Sequence, residues 1–128
     1  MVIDDDETVG SVINLVLSRA GYQVSLYADG RKALNDLAQV RPILVITDIV
    51  MPDMDGLEFV TKVRRQDRTV PIIAISGGGR FLVAGDLLRT AQALGVQHIL
   101  AKPFEIAELT DTVARVLAAR GEGNDRGS

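Results

Sequence analysis

Apolar residues in this chain fall into two patterns: short unbroken runs rich in β-branched residues, and longer stretches where they recur every three or four positions. The first suits a strand covered on both faces, as in a parallel sheet; the second suits an amphipathic helix. Met1-Val2-Ile3 opens as a very short strand and runs into the acidic turn Asp4-Asp5-Asp6-Glu7. Val9, Val12, Ile13, Val16, Leu17 and Ala20 then mark a helix that Gly21 stops. Tyr22 to Ala28 predicts a second strand, with Val24, Leu26 and Ala28 on one face. Asp29-Gly30 turns the chain into a short helix carrying Ala33, Leu34, Leu37 and Ala38, closed off by Pro42.

The run Ile43-Leu44-Val45-Ile46-Thr47 is the strongest strand signal, and it ends on Asp48. A turn of Pro, Asp and Gly follows, then a helix from about Gly56 to Gln66 with Leu57, Val60 and Val63 inward. Pro71 to Ser76 predicts a fourth strand, ended by Gly77-Gly78-Gly79. A helix with Leu87, Leu88, Ala91 and Leu94 follows and stops at Gly95. Val96 to Ala101 makes a fifth strand, followed by Lys102-Pro103-Phe104. The last helix spans about Glu105 to Ala119, with Ile106, Leu109, Val113, Val116 and Leu117 as its buried stripe. Residues 121–128 are polar and Gly-rich, the composition of a disordered tail.

Five strands alternating with five helices imply an α/β domain over residues 1–120. The expected fold is a flavodoxin-like, doubly wound parallel sheet in the order 2-1-3-4-5. That order brings Asp4, Asp5, Asp48, Ser76 and Lys102 to one edge of the sheet, at the carboxyl ends of four strands, where such folds bind ligands.

Composition narrows the chemistry. The 128 residues hold no cysteine and one histidine, which excludes thiol chemistry, disulfides and a histidine-rich metal site. A net charge of −3 gives no reason to expect direct nucleic-acid binding. No apolar run approaches a membrane span and no signal peptide precedes the fold, so the expected location is the cytoplasm.

Three carboxylates held together repel one another and call for a cation or a shared proton. A few oxygen ligands, with positions left open for water and phosphate, suit Mg²⁺. Such a site draws a phosphoryl group toward Asp48, a carboxylate nucleophile, with Lys102 and Ser76 as partners for the phosphoryl oxygens. Each feature also has a plainer reading. An acidic run at a helix start is often capping and dipole complementarity. Asp53 and Asp55 fit turn formation, His98 a surface position, and the triple glycine is no Walker A loop because no Lys-Ser/Thr follows it.

Taken in order, Asp4-Asp5-Asp6, the Asp48-x-x-Met-Pro-x-Met-Asp-Gly loop, Ser76 and Lys102-Pro103-Phe104 resemble a response-regulator receiver domain of two-component signalling. The resemblance covers Val2 to Ala119. It implies that Asp48 is the phosphoacceptor, supplied by a sensor histidine kinase or a histidine phosphotransfer protein. It further implies Mg²⁺ at Asp4, Asp5, Asp48 and the backbone carbonyl of Val50, a hydroxyl partner at Ser76, and a lysine at Lys102 whose bond to Pro103 is typically cis. By the same resemblance, the domain is not an enzyme beyond its own phosphorylation and dephosphorylation. Its downstream protein target is expected on the face of the fourth helix, fifth strand and fifth helix.

Three departures stand out. Ile99 occupies the place of the family's usual aromatic switch residue. The segment from Ser76 to Lys102 is a few residues longer than usual, which predicts a loose region before the fourth helix. The first strand is short, as though clipped at its start. No basic region or helix-turn-helix follows Ala119, so the expected output is a protein contact or onward phosphate relay, with a fragment of a longer regulator as the other reading. Two further readings stay open: a phosphatase or phosphotransferase acting on a free substrate through an aspartyl-phosphate, and a degenerate receiver used as a scaffold. Val50 counts against the former, because haloacid-dehalogenase enzymes typically carry an Asp two residues after the nucleophile.

Overall fold

Why the apolar runs are unbroken is clear from where their side chains go. In the computed structural model, which describes residues 1–49, 56–76 and 84–127, consecutive strand residues point into two separate cores. The strands are β1 (Val2–Ile3), β2 (Leu26–Tyr27), β3 (Val45–Asp48), β4 (Ile72–Ser76) and β5 (His98–Ala101). The helices are α1 (Glu7–Arg19), α2 (Gly30–Val40), α3 (Gly56–Gln66), α4 (Ala84–Ala93) and α5 (Ile106–Gly127). Val45, Ile72 and Ala74 join Ala33, Leu37, Phe59 and Val63 in the core under α2, α3 and α4. Ile46, Ile73 and Ile75 join Ile13, Leu17, Leu109 and Val113 in the core under α1 and α5. A side-chain period of two serving two covered faces leaves no polar alternation to see.

The strands form one parallel sheet in the order β2-β1-β3-β4-β5, as the pattern predicts. β1 lies between β2 and β3, with Val2 opposite Leu26 on one side and Ile46 on the other. The connections leave β1 toward one edge and β3 toward the other, which puts the switch point between them.

The structure corrects several details. β2 has two residues where the sequence suggests seven, because β1 offers only two partners for ladder bonding. Val12 is 42 % exposed and Ile106 is 59 % exposed, although both fit the helical stripe. Ile106 is the first residue of α5, and Val12 sits in the second turn of α1, beside an open depression. Phe59, absent from the predicted inward stripe of α3, is fully buried. α5 continues past Ala119 to Gly127, through the segment whose composition suggests disorder. Elongation adds one hydrogen bond per residue once a helix is nucleated, and Ala118, Ala119 and Arg120 are good helix formers. The last buried side chain described on α5 is Val116. Of the loop expected to be loose, residues 77–85, residues 77–83 lie outside the described residues, as do the side chains of Leu87 and Leu88, while Ala84 and Gly85 open α4.

At the end of the sheet opposite the carboxyl ends, a cleft of about 360 Å³ opens beside Met1, bounded by Tyr22, Val24, Pro42 and Leu44. The Met1 amino group is buried there and donates to the Leu44 carbonyl at 3.0 Å. Burial lowers its pKa from 8.0 to about 6. No described helix is long and apolar enough to cross a membrane.

Candidate functional site

The acidic run after β1 divides its labour. Asp6 caps α1, its carboxylate accepting from the N–H groups of Thr8 and Val9 at 3.0 and 3.3 Å. Asp4 turns the other way and is 2 % exposed, with Oδ1 accepting the Asp6 N–H at 2.9 Å. Capping thus explains Asp6 but not Asp4. Asp5, between them, is exposed.

Asp48 closes β3 and is 4 % exposed. Its placement is fixed by a close approach just downstream. The Gly56 N–H, at the first residue of α3, donates to the Ile49 carbonyl at 2.6 Å. A β-carbon at Gly56 would fall on the backbone of Asp48 and Ile49, so only glycine lets α3 start this close to the strand end. Ser76 ends β4 and is buried, at 9 % exposure. Its carbonyl accepts the Lys102 N–H at 2.8 Å, which ties β5's exit to β4's. The Lys102–Pro103 bond is cis, as the resemblance implies.

These elements bring together Asp4, Asp5 and Asp48, each offering a carboxylate oxygen within 4.8 Å of the others. Lys102 Nζ lies 3.1 Å from Asp48 Oδ2 and 3.3 Å from Asp4 Oδ2. Asp4 Oδ2 is buried and accepts no hydrogen bond among the described residues. Burial is the largest influence on the Asp4 pKa and raises it; the Asp6 N–H opposes this, the Asp48 charge adds to it, and Lys102 opposes it, leaving it raised overall. Lys102 moves the same way for the opposite reason. Burial alone would lower its pKa, but the hydrogen bond and charge of Asp48, with Asp4 behind, outweigh burial and raise it. The two shifts agree on one point: a single ammonium does not balance this set of carboxylates. An all-oxygen, partly exposed donor set, with a buried oxygen that has an ion pair to Lys102 but no hydrogen bond among the described residues, fits a hard divalent cation such as Mg²⁺. Val50, the remaining ligand expected from the resemblance, lies outside the described residues, as do Asp53, Asp55 and Gly77 to Gly79.

Sequence reasoning missed one feature beside this cleft. Thr8, Val9 and Val12 of α1, with Lys102, Pro103 and Phe104, line an open, almost wholly apolar depression of about 440 Å³. The signal was present in Val12, whose helical spacing reads as core but whose side chain faces out.

A doubly wound parallel sheet with a cation-accepting acidic cleft at its switch point, closed by a lysine from β5's exit, defines a narrow class of phosphoryl-handling signalling domains. The chain belongs to the response regulator receiver domain family, whose profile matches residues 1–114. It is 31 % identical to sporulation initiation phosphotransferase F of Bacillus subtilis, over 91 % of each chain. It is also 35 % identical to the transcriptional regulator NtrC of a Bradyrhizobium, over 92 % of this chain, and 35 % identical to PrrA of Mycobacterium leprae, over 94 % of it. The chain spans 24 % of that NtrC and 50 % of that PrrA. Among solved structures, the Vibrio cholerae chemotaxis protein CheY4 matches with a TM-score of 0.82 at 32 % identity, covering 90 % of this chain and 94 % of its own. A response regulator from Chloroflexus aurantiacus matches at 0.81 and 34 %, covering 91 % and 94 %.

Proposed function

We propose that this receiver accepts a phosphoryl group on Asp48 from a sensor histidine kinase or a histidine phosphotransfer protein, with Mg²⁺ as its cofactor. The observation that carries this reading is the charge balance of the cleft, one lysine for three clustered carboxylates. Asp4, Asp5 and Asp48 would hold the metal, with the Val50 carbonyl as the resemblance implies. When bound, Mg²⁺ supplies neutralisation of the carboxylate and phosphoryl oxygens.

An Asp48 carboxylate oxygen attacks phosphorus while the P–N bond to the donor imidazole breaks, and that bond's electron pair leaves with the imidazole. Lys102, now on Asp48 Oδ2, passes to a phosphoryl oxygen as a compact point charge. The Ser76 hydroxyl donates to another phosphoryl oxygen. The acyl phosphate carries about two negative charges where the Asp48 carboxylate carried one, which biases the backbone following β3 and β4. The signal leaves through a protein contact on the α4–β5–α5 face, in the cytoplasm, without direct nucleic-acid or membrane binding. The apolar depression beside Lys102 supports docking of the donor protein, because it adjoins the nucleophile and exposes Val12.

Beryllofluoride with Mg²⁺ tests this reading, since it mimics an acyl phosphate without any kinase. Amide NMR shifts are expected around Asp5, Ser76 and Lys102 in the wild type and not in Asp48→Asn. Mg²⁺ binding with no beryllofluoride response would turn the reading toward a scaffold. Steady turnover of an aryl phosphate ester would turn it toward a phosphatase.

A further inference from the structure

Arg64, in the last turn of α3, places its whole guanidinium on carbonyl oxygens outside its own helix. Nε donates to the Leu94 carbonyl at 2.7 Å and Nη2 to the Gly95 carbonyl at 3.0 Å. Nη1 donates to the carbonyls of Val70 at 2.7 Å and Asp67 at 3.3 Å. Leu94 and Gly95 form the exit of α4. There the Val96 N–H returns to the Ala91 carbonyl and the Gly95 N–H to Gln92, with Gly95 at φ +77°. This is the paired ending that left-handed glycine permits at a helix C-terminus. It satisfies Ala91 and Gln92 but not the carbonyls of Leu94 and Gly95, and Arg64 takes both. A cation at the negative end of the α4 dipole adds to the attraction.

The other end of this brace is anchored. Gly56 is wedged against the backbone of Asp48 and Ile49, and Phe59, Val60 and Val63 are fully buried. α3 therefore has no room to shift, and what Arg64 holds is held to the sheet. The opposite end of α4 follows Ser76 after seven residues. Ile99 on β5 packs into the same core as Leu94, with no aromatic ring to turn.

We propose that Arg64 is a positioning residue that pins the C-terminal end of α4 to α3, so that phosphorylation moves α4 by pivoting it about Gly95. This rests on the phospho-acceptor reading and says how its signal leaves the site. α4 is about 15 Å long, so a tilt of about 10° displaces its N-terminal end by about 2.5 Å while its pinned end barely moves.

Amide NMR and hydrogen exchange with Mg²⁺ and beryllofluoride test this in the wild type, Arg64→Lys and Arg64→Met. In the wild type, shift changes concentrate at residues 84–88 and fade toward Leu94, Gly95 and Val96. In Arg64→Met they spread through Val96, and the Gly95 and Val96 amides exchange about ten-fold faster, as for local opening eased by one charged hydrogen bond. Arg64→Lys keeps the charge and restores part of the gradient. If Arg64→Met does not fold, the wild-type gradient and Arg64→Lys carry the test. A responsive site with equal changes along all of α4, or an Arg64→Met variant that is less stable yet keeps the wild-type gradient, overturns the pivot alone. A wild type silent at Asp5, Ser76 and Lys102 overturns the phospho-acceptor reading, and the pivot with it.

Discussion

Lys102 Nζ sits 3.1 Å from Asp48 Oδ2, and the same ammonium is 3.3 Å from Asp4. One flexible point charge thus bridges the ends of β1 and β3 across the switch point. It holds Asp48 in place and, in the proposed phosphotransfer, is also the group that has to let go of it. A lysine can do both, because its charge is not locked into a planar fork.

This arrangement makes Asp4 a liability without metal and an asset with it. Asp4→Asn keeps an oxygen for the Asp6 N–H but removes a charge that burial and Asp48 disfavour. In chelator the variant is expected to match or exceed wild-type stability by roughly 1 kcal/mol. Mg²⁺ at ten times its Kd is expected to stabilise the wild type by about 1.4 kcal/mol and the variant hardly at all. Urea unfolding with and without Mg²⁺ checks both signs.

Val12→Asp addresses the depression beside Lys102. The side chain is exposed, so stability is expected to change by less than about 0.5 kcal/mol. Phosphotransfer from a donor protein is expected to slow at least about ten-fold, whereas phosphorylation by a small donor such as acetyl phosphate stays at wild-type rate. Equal slowing with both donors would place Val12 in the chemistry rather than in docking.

Gly56→Ala should be costly despite adding a single methyl group. The new carbon meets backbone of Asp48 and Ile49, which cannot rotate away. A loss of about 3 kcal/mol is expected, with weaker beryllofluoride binding because Asp48 is displaced. Thermal unfolding and a titration on the same sample check the two together.

The buried amine of Met1 predicts a pH dependence. Burial lowers its pKa from 8.0 to about 6, so between those values the unfolded chain binds more protons than the folded one. For a polypeptide that starts at Met1 with a free amine, stability should therefore rise as pH increases from 6 to 8, by about 2 kcal/mol. Acetylating the amine leaves an N–H for the Leu44 carbonyl and removes the charge, which should flatten this part of the profile.

The parallel sheet was legible because Leu44 to Ile46 and Ile72 to Ile75 carry no polar alternation, which suits a strand between two cores. Asp4, Asp48, Ser76 and Lys102 could be placed because each ends such a run. What escaped has a different origin. Periodicity gives the phase of a helix but not what the neighbouring elements cover, so Val12 and Ile106 read as core. β2 was overestimated because strand length depends on the partner, and β1 supplies two residues. The Arg64 brace had no local signature at all. Its acceptors at the exit of α4 are backbone carbonyls about thirty positions away, and any sequence can supply those.

The cleft beside Met1 has a practical consequence for anyone handling this domain. With its amine already seated between the starts of β2 and β3, any tag or linker fused ahead of Met1 must leave through the space bounded by Val24 and Leu44. The first two or three fused residues would then be chosen like strand residues, apolar and β-branched, rather than as a flexible Gly-Ser spacer.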